Sequence, residues 1–254
     1  MQAIKVAVVT WFAAHDDPVV RDGREALQTQ VDTDFRQAWN LSAHLDVIGN
    51  DQVQHHMPDH WGLIVYDDST ADVPDRYGDL THGGLPLAKA YVPPGVQWTL
   101  PASRALLQML ANPRGDLAVY DEVDPETNRF VAIRVCDPVQ SDDDAYQVQV
   151  DDGTWWPVSD FVYPSWFRTL DPDDARLDRQ GRVSMPFQLS TSGGLAYVFE
   201  VSSSRWWVRS TEGGQPETTR PVAPGAMPAV LRRPTPAEFA ASSIGSSRGT
   251  YPPP

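Results

Sequence analysis

The stretch Arg24–Trp39 places Leu27, Val31, Phe35 and Trp39 at i, i+4 spacing, a stripe that only a helix gathers onto one face. Such a stripe must be buried against something, and the flanking residues supply it. Ile4–Thr10 is an apolar run of strand length, Leu41–Ile48 alternates as a half-buried strand does, and Gly62–Tyr66 is a further short apolar run. The residues between, His15–Gly23, Asn50–Asp59 and Asp67–Asp75, read as polar loops. A second helix is expected over Thr99–Asn112, where Pro101 suits the first turn, Leu106, Leu107 and Leu110 form the stripe, and Asn112-Pro113 stops it. Strands are expected at Leu117–Asp121 and Phe130–Cys136. A hairpin should join Tyr146–Val150 to Trp155–Val158 through Asp151-Asp152-Gly153, and a ribbon should join Leu195–Val201 to Arg205–Arg209.

This order of elements implies an α+β domain with two main helices over residues 1–170, followed by a small β-ribbon extension over 171–210. From 211 to 254 Pro, Ser and Gly dominate. Large apolar residues are too sparse there to build a core, so the expectation is an extended arm that clasps a neighbouring subunit, with Phe239 and Tyr251 as anchors. The chain has 254 residues, 41% of them apolar, enough for a sizeable core. Nine tryptophans include two adjacent pairs, Trp155–Trp156 and Trp206–Trp207, a residue type frequent at interfaces.

Charge excludes whole classes of function. A net charge of −14 argues against a nucleic-acid partner, which needs a basic face, and against adsorption to an anionic membrane. No apolar run has the length to span a bilayer, and the N-terminal residues lead straight into a strand-like run, not a signal peptide. Cys136 is the single cysteine, so no intrachain disulfide forms. A soluble protein made in the bacterial cytoplasm is the expectation.

The run Ala102-Ser-Arg-Ala-Leu-Leu-Gln-Met-Leu-Ala-Asn-Pro113 resembles the "ASHELLEMLADP" motif of an uncharacterised zincin-like family of bacterial and phage-encoded proteins. Other runs similar to that family surround it in order: Trp61–Asp68, Tyr77–Lys89, Val135–Pro138, Val158–Phe167 and Met185–Leu189. The resemblance covers about residues 28–190 and implies a zincin-like mixed sheet. In such a motif a His at i and a second ligand at i+4 share a helix face and hold one zinc ion, and the Glu at i+1 is the general base. This chain departs at each of those places. Arg104 stands for the His, Ala105 for the base, Gln108 for the acid at i+4 and Asn112 for the acid at i+8. Arg134 stands for a Glu that relatives carry in the strand read as "YEVCD". A guanidinium is cationic and has no lone pair to give a metal. The resemblance therefore implies a pseudoenzyme with no cofactor. Arg104 and Gln108 should sit side by side on the helix and face the strand that carries Arg134. The plainer alternative is an ordinary surface arginine on a helix that never bound metal.

Other polar groups in the sequence carry plainer readings. His55, His56 and His60 flank Pro58, which prevents a shared helical face, so a solvated loop is expected. Asp142-Asp143-Asp144 lacks the Gly and distal Glu of a calcium loop and reads as an exposed acidic turn. Asp79 and His82 are loop-borne polar residues, Cys136 reads as a small buried side chain, and Ser103 has no nucleophile motif around it. The resulting expectation is a non-catalytic structural protein, a minor head, neck or tail component of a bacteriophage virion. It would contact other virion proteins or copies of itself. The alternatives are an active zincin-like peptidase or hydrolase, and a bacterial interaction module without a phage link.

Overall fold

The computed structural model describes residues 4–12, 16–49, 59–66, 85–121, 128–168 and 176–222. Helices and sheets are both present, as the α+β reading requires. Strands β1 (Ile4–Thr10), β2 (Ala43–Val47), β3 (Trp61–Tyr66) and β4 (Leu87–Tyr91) form a four-stranded sheet in the order β2-β1-β3-β4, every pair parallel. A second sheet of five strands is antiparallel throughout. It contains β5 (Ala118–Tyr120), β6 (Arg129–Ala132), β9 (Leu195–Glu200), β10 (Arg205–Ser210) and β11 (Thr218–Pro221) in the order β11-β10-β9-β6-β5. Strands β7 (Tyr146–Gln149) and β8 (Trp155–Val158) pair with each other as the expected hairpin.

Parallel and antiparallel strands thus separate into different sheets and do not share a mixed one. Connection length is the reason. Long crossovers separate β1 to β4 and return the chain in the same direction, whereas β9, β10 and β11 follow one another through short turns that reverse it. The sequence pattern does not predict strand β4, because Leu87-Ala-Lys-Ala-Tyr91 has only small or isolated apolar residues. The sheet neighbour supplies what propensity does not.

The first helix begins earlier than its apolar stripe suggests. α1 (Pro18–Thr29) starts inside the segment expected to be loop, because the Asp17 side chain caps the Val19 amide at 2.8 Å and Pro18 fits the first turn. A π-helical stretch, Gln30–Phe35, carries it into α2 (Arg36–Trp39), which ends where Asn40 turns left-handed at φ 52°. Leu27, Val31 and Phe35 are fully buried, and Trp39 donates its indole N–H to the Val162 carbonyl at 3.0 Å. α3 (Thr99–Ala111) lies across β4 and β3 and against α1 and β8. The two helices meet closely at Gly23, where a Cβ would stand 2.7 Å from Trp98 Cε2 and 2.9 Å from Thr99 Cγ2.

The segments read from sequence as domain and extension share one sheet. β9 pairs with β6, so the ribbon at 195–210 continues the sheet that 118–132 begins. One apolar cluster runs from the parallel sheet through both helices to Phe161, Trp166 and Phe187; Trp166 is fully buried and bonds the Gln188 carbonyl at 2.7 Å. Thr218–Pro221, inside the segment read as an arm, pairs with β10 as an exposed edge strand. Residues 223–254, including Phe239 and Tyr251, lie outside the described residues, as do His55, His56, Asp79 and His82. Among the described residues no helix is long and apolar enough to cross a membrane.

Candidate functional site

Helix α3 turns one face toward β4 on one side and toward the segment after β6 on the other. Between them lies an open cleft of about 680 Å³. Arg104, Ala105 and Gln108 from α3, Asn112 at its C-cap and Arg134, two residues beyond β6, all line it, so the five positions singled out by the motif meet in one place; the strand expected over Phe130–Cys136 ends at Ala132 and leaves Arg134 outside it. The helix supplies the alignment, because 104, 108 and 112 recur at i+4 on one face. The buried Leu106, Leu107 and Leu110 hold the opposite face in the core. β4 closes the other wall. Among the described residues it ends its sheet, and its bonds to β3 run through Pro86 and Val92, so the main-chain groups of Leu87, Lys89 and Tyr91 point away from β3.

A residue that sequence reasoning did not weigh organises the cleft floor. Asp137 has a side chain only 5% exposed and accepts from both sides. Gln108 Nε2 donates to its Oδ1 at 2.5 Å, and Arg134 donates Nε to its Oδ2 as an ion pair. The Arg134 guanidinium also lies over the Tyr197 ring, 5.7 Å from its centroid. Burial opposes the charge on Arg134, but Asp137 outweighs it, and the guanidinium pKa rises above its ordinary value. Arg104 donates Nη2 to the Gln140 carbonyl at 2.7 Å and reaches the exposed carboxylate of Asp142 at 3.3 Å. Asn112 is spent on structure. Its side chain donates to the Ile133 carbonyl at 3.1 Å and accepts from the Leu117 amide at 3.3 Å, tying the helix end to the strands. The signal for Asp137 was present in the run Val135–Pro138, but only pairing with Arg134 and Gln108 reveals its part.

The groups present do not fit a zinc ion. Two of the lining positions are guanidinium groups, the one buried carboxylate is already paired, and no cluster of three or more His, Cys, Asp or Glu with metal-binding geometry occurs among the described residues.

The remaining candidates disperse. Trp155 is 56% exposed at the hairpin, while Trp156, Trp206 and Trp207 are half-buried, with Trp206 tilted against Phe199 at 5.3 Å. The acidic turn is not fully exposed as expected. Its 3-10 turn buries Asp144 completely beside Arg182 at 3.4 Å. The turn residues point different ways, which is why composition alone misread it. His60 lies 3.2 Å from Asp46, which also takes His44 at 3.3 Å. Ser103 serves the scaffold by accepting from the Ser159 amide at 2.7 Å. Cys136 is fully buried, and burial pushes its thiol pKa well up. No family model, curated protein or solved structure matches this chain.

Proposed function

We propose that this chain is a non-catalytic interaction protein, a pseudoenzyme on a zincin-like, metallopeptidase-like scaffold, and that its setting is a bacteriophage virion. In that setting it is a minor head, neck or tail component. The observation that carries the reading is the meeting of Arg104, Ala105, Gln108, Asn112 and Arg134 in one cleft. A metal helix and its partner strand would need that convergence. Here Arg104, Ala105 and Arg134 offer no lone pair to a metal, Gln108 and Asn112 carry neutral amides where the motif has acids, and Arg134 neutralises the negative charge that Asp137 would otherwise offer to a cation. The acidic surface and the exposed Trp155 suit contact with other virion proteins or copies of the same chain. The sequence from 223 on, with Phe239 and Tyr251, is the proposed clasp.

Elemental analysis of the purified full-length chain tests the pseudoenzyme reading. The expected result is no stoichiometric metal; about one zinc per chain, the complement of a single site, overturns it. The setting is tested by mass spectrometry of purified particles from a phage that encodes the chain. Its presence at constant stoichiometry is expected, and its absence from intact particles refutes a virion role.

A further inference from the structure

A second hollow, of about 420 Å³, opens where β1 and β4 end and α1 begins. Its walls include Phe12, Val19, Pro93, Pro94, Trp98 and Trp156, with Gln97 as a polar side chain among them. Much of this surface meets solvent. Val19 is 47% exposed, Pro93, Pro94 and Gln97 are exposed, and Phe12 and Trp156 are half-buried. A contiguous apolar patch of this kind is the mark of a surface that binds something. The charge around it is negative. Asp17 caps the Val19 amide at 2.8 Å, and Asp22 lies one helical turn on from Val19. The tip of the β7–β8 hairpin adds exposed Asp151 and Asp152 and is held to α1 by the bond from the Asp151 amide to Glu25 at 2.6 Å. The guanidinium groups of these turns, Arg21 and Arg24, line a different hollow beside Asp16 and Asp46, and Arg21 also contacts Asp22 at 3.1 Å.

We infer that this hollow receives the segment Leu231-Arg-Arg-Pro-Thr-Pro236 of a second copy of the chain, its prolines against the Trp, Phe and Pro walls and its arginines toward the carboxylates. The inference rests on the clasp reading and gives the clasp its seat. Aromatic-lined grooves suit proline-rich chain, because proline restricts the free segment beforehand and leaves little order to impose on binding. Charge points to the same occupant. Residues 223–254 carry Arg232, Arg233 and Arg248 against the single acid Glu238, in a chain whose net charge is −14. The sign of the segment is thus opposite to that of the rim. Reach allows it as well. Arg232 follows Val222, the last described residue, by ten positions, about 33 Å at full extension. An acidic segment would be repelled by the rim, and one without proline would lose the restriction that makes binding cheap.

The test is sedimentation equilibrium of the full-length chain at rising concentration, alone and with a synthetic peptide of Pro228–Ala240. The expected result is a reversible self-association that the peptide undoes. The association constant should fall about tenfold, the loss of one well-formed contact, in Val19→Lys and in the pair Arg232→Glu with Arg233→Glu, and it should fall with added salt. A peptide carrying Pro234→Ala and Pro236→Ala should compete about tenfold less well, a readout that needs no variant of the folded chain. The inference is overturned if the chain stays monomeric at every concentration, if it associates equally with Val19→Lys and with both arginines reversed, or if the two peptides compete alike. Self-association and particle composition are separate measurements, so this inference and the virion reading can fail independently.

Discussion

Replacing Arg134 by Met keeps an unbranched apolar stem over Tyr197 but removes the charge from Asp137. The Asp137 side chain is 5% exposed and that of Arg134 25%. Removing one member of a buried pair costs about 3–5 kcal/mol when the charge left behind is sealed from water. Two features reduce that figure here. Water can enter from the open cleft on the Arg134 side, and Gln108 still donates to Oδ1. A loss of about 2–3 kcal/mol is therefore expected, comparable to one or two hydrogen bonds to a charged group. Urea unfolding of the wild type, Arg134→Met, Asp137→Asn and the double variant measures it. The double variant should lose less than the two singles together, with a coupling of about 1–3 kcal/mol, because the orphaned carboxylate is gone. An Arg134→Met effect within about 0.5 kcal/mol, the size of an ordinary surface change, would refute the idea that this guanidinium neutralises Asp137.

Gly23→Ala should destabilise, although alanine is the better helix former by about 1 kcal/mol. The new methyl would run into Trp98, which is 4% exposed and bonded to the Val19 carbonyl, and overpacking of this kind costs about 1–3 kcal/mol; an unchanged or raised Tm would contradict the close helix contact. Asp160 is fully buried, and burial together with neighbouring Asp178 pushes its carboxyl pKa up to about 8. The folded chain then keeps a proton that the unfolded chain releases above its ordinary range near pH 4, so this group's contribution to stability falls as pH rises from there to about 8. Asp160→Asn should flatten that fall in urea titrations at successive pH values, and identical slopes in both proteins would remove the buried proton from the account. Cys136, with no exposed surface, should resist a thiol reagent at pH 8 until denaturant is added, and rapid labelling of the native chain would show that the segment around it opens.

The sequence by itself determined the elements that local pattern controls. The stripes through Leu27, Val31 and Phe35 and through Leu106, Leu107 and Leu110 are long enough to be read without knowing what they bury against. The hairpin at 146–158 was readable from its alternation and its Asp-Gly turn. That positions 104, 105, 108, 112 and 134 carry no His, Cys, Asp or Glu was likewise visible from residue type alone. What the sequence could not fix is whatever depends on a partner far along the chain. β4 exists because β3 offers it a ladder, α1 reaches back to Pro18 beneath Trp98, and the ribbon at 195–210 joins β6 across more than sixty residues by hydrogen bonds that leave no local trace. The same holds for the cleft. Asp137 looks like any loop acid until the fold brings Gln108 and Arg134 to its two oxygens. Periodicity is a property of neighbours in sequence, whereas charge pairing and cavity lining are properties of neighbours in space, and only tertiary packing converts one into the other.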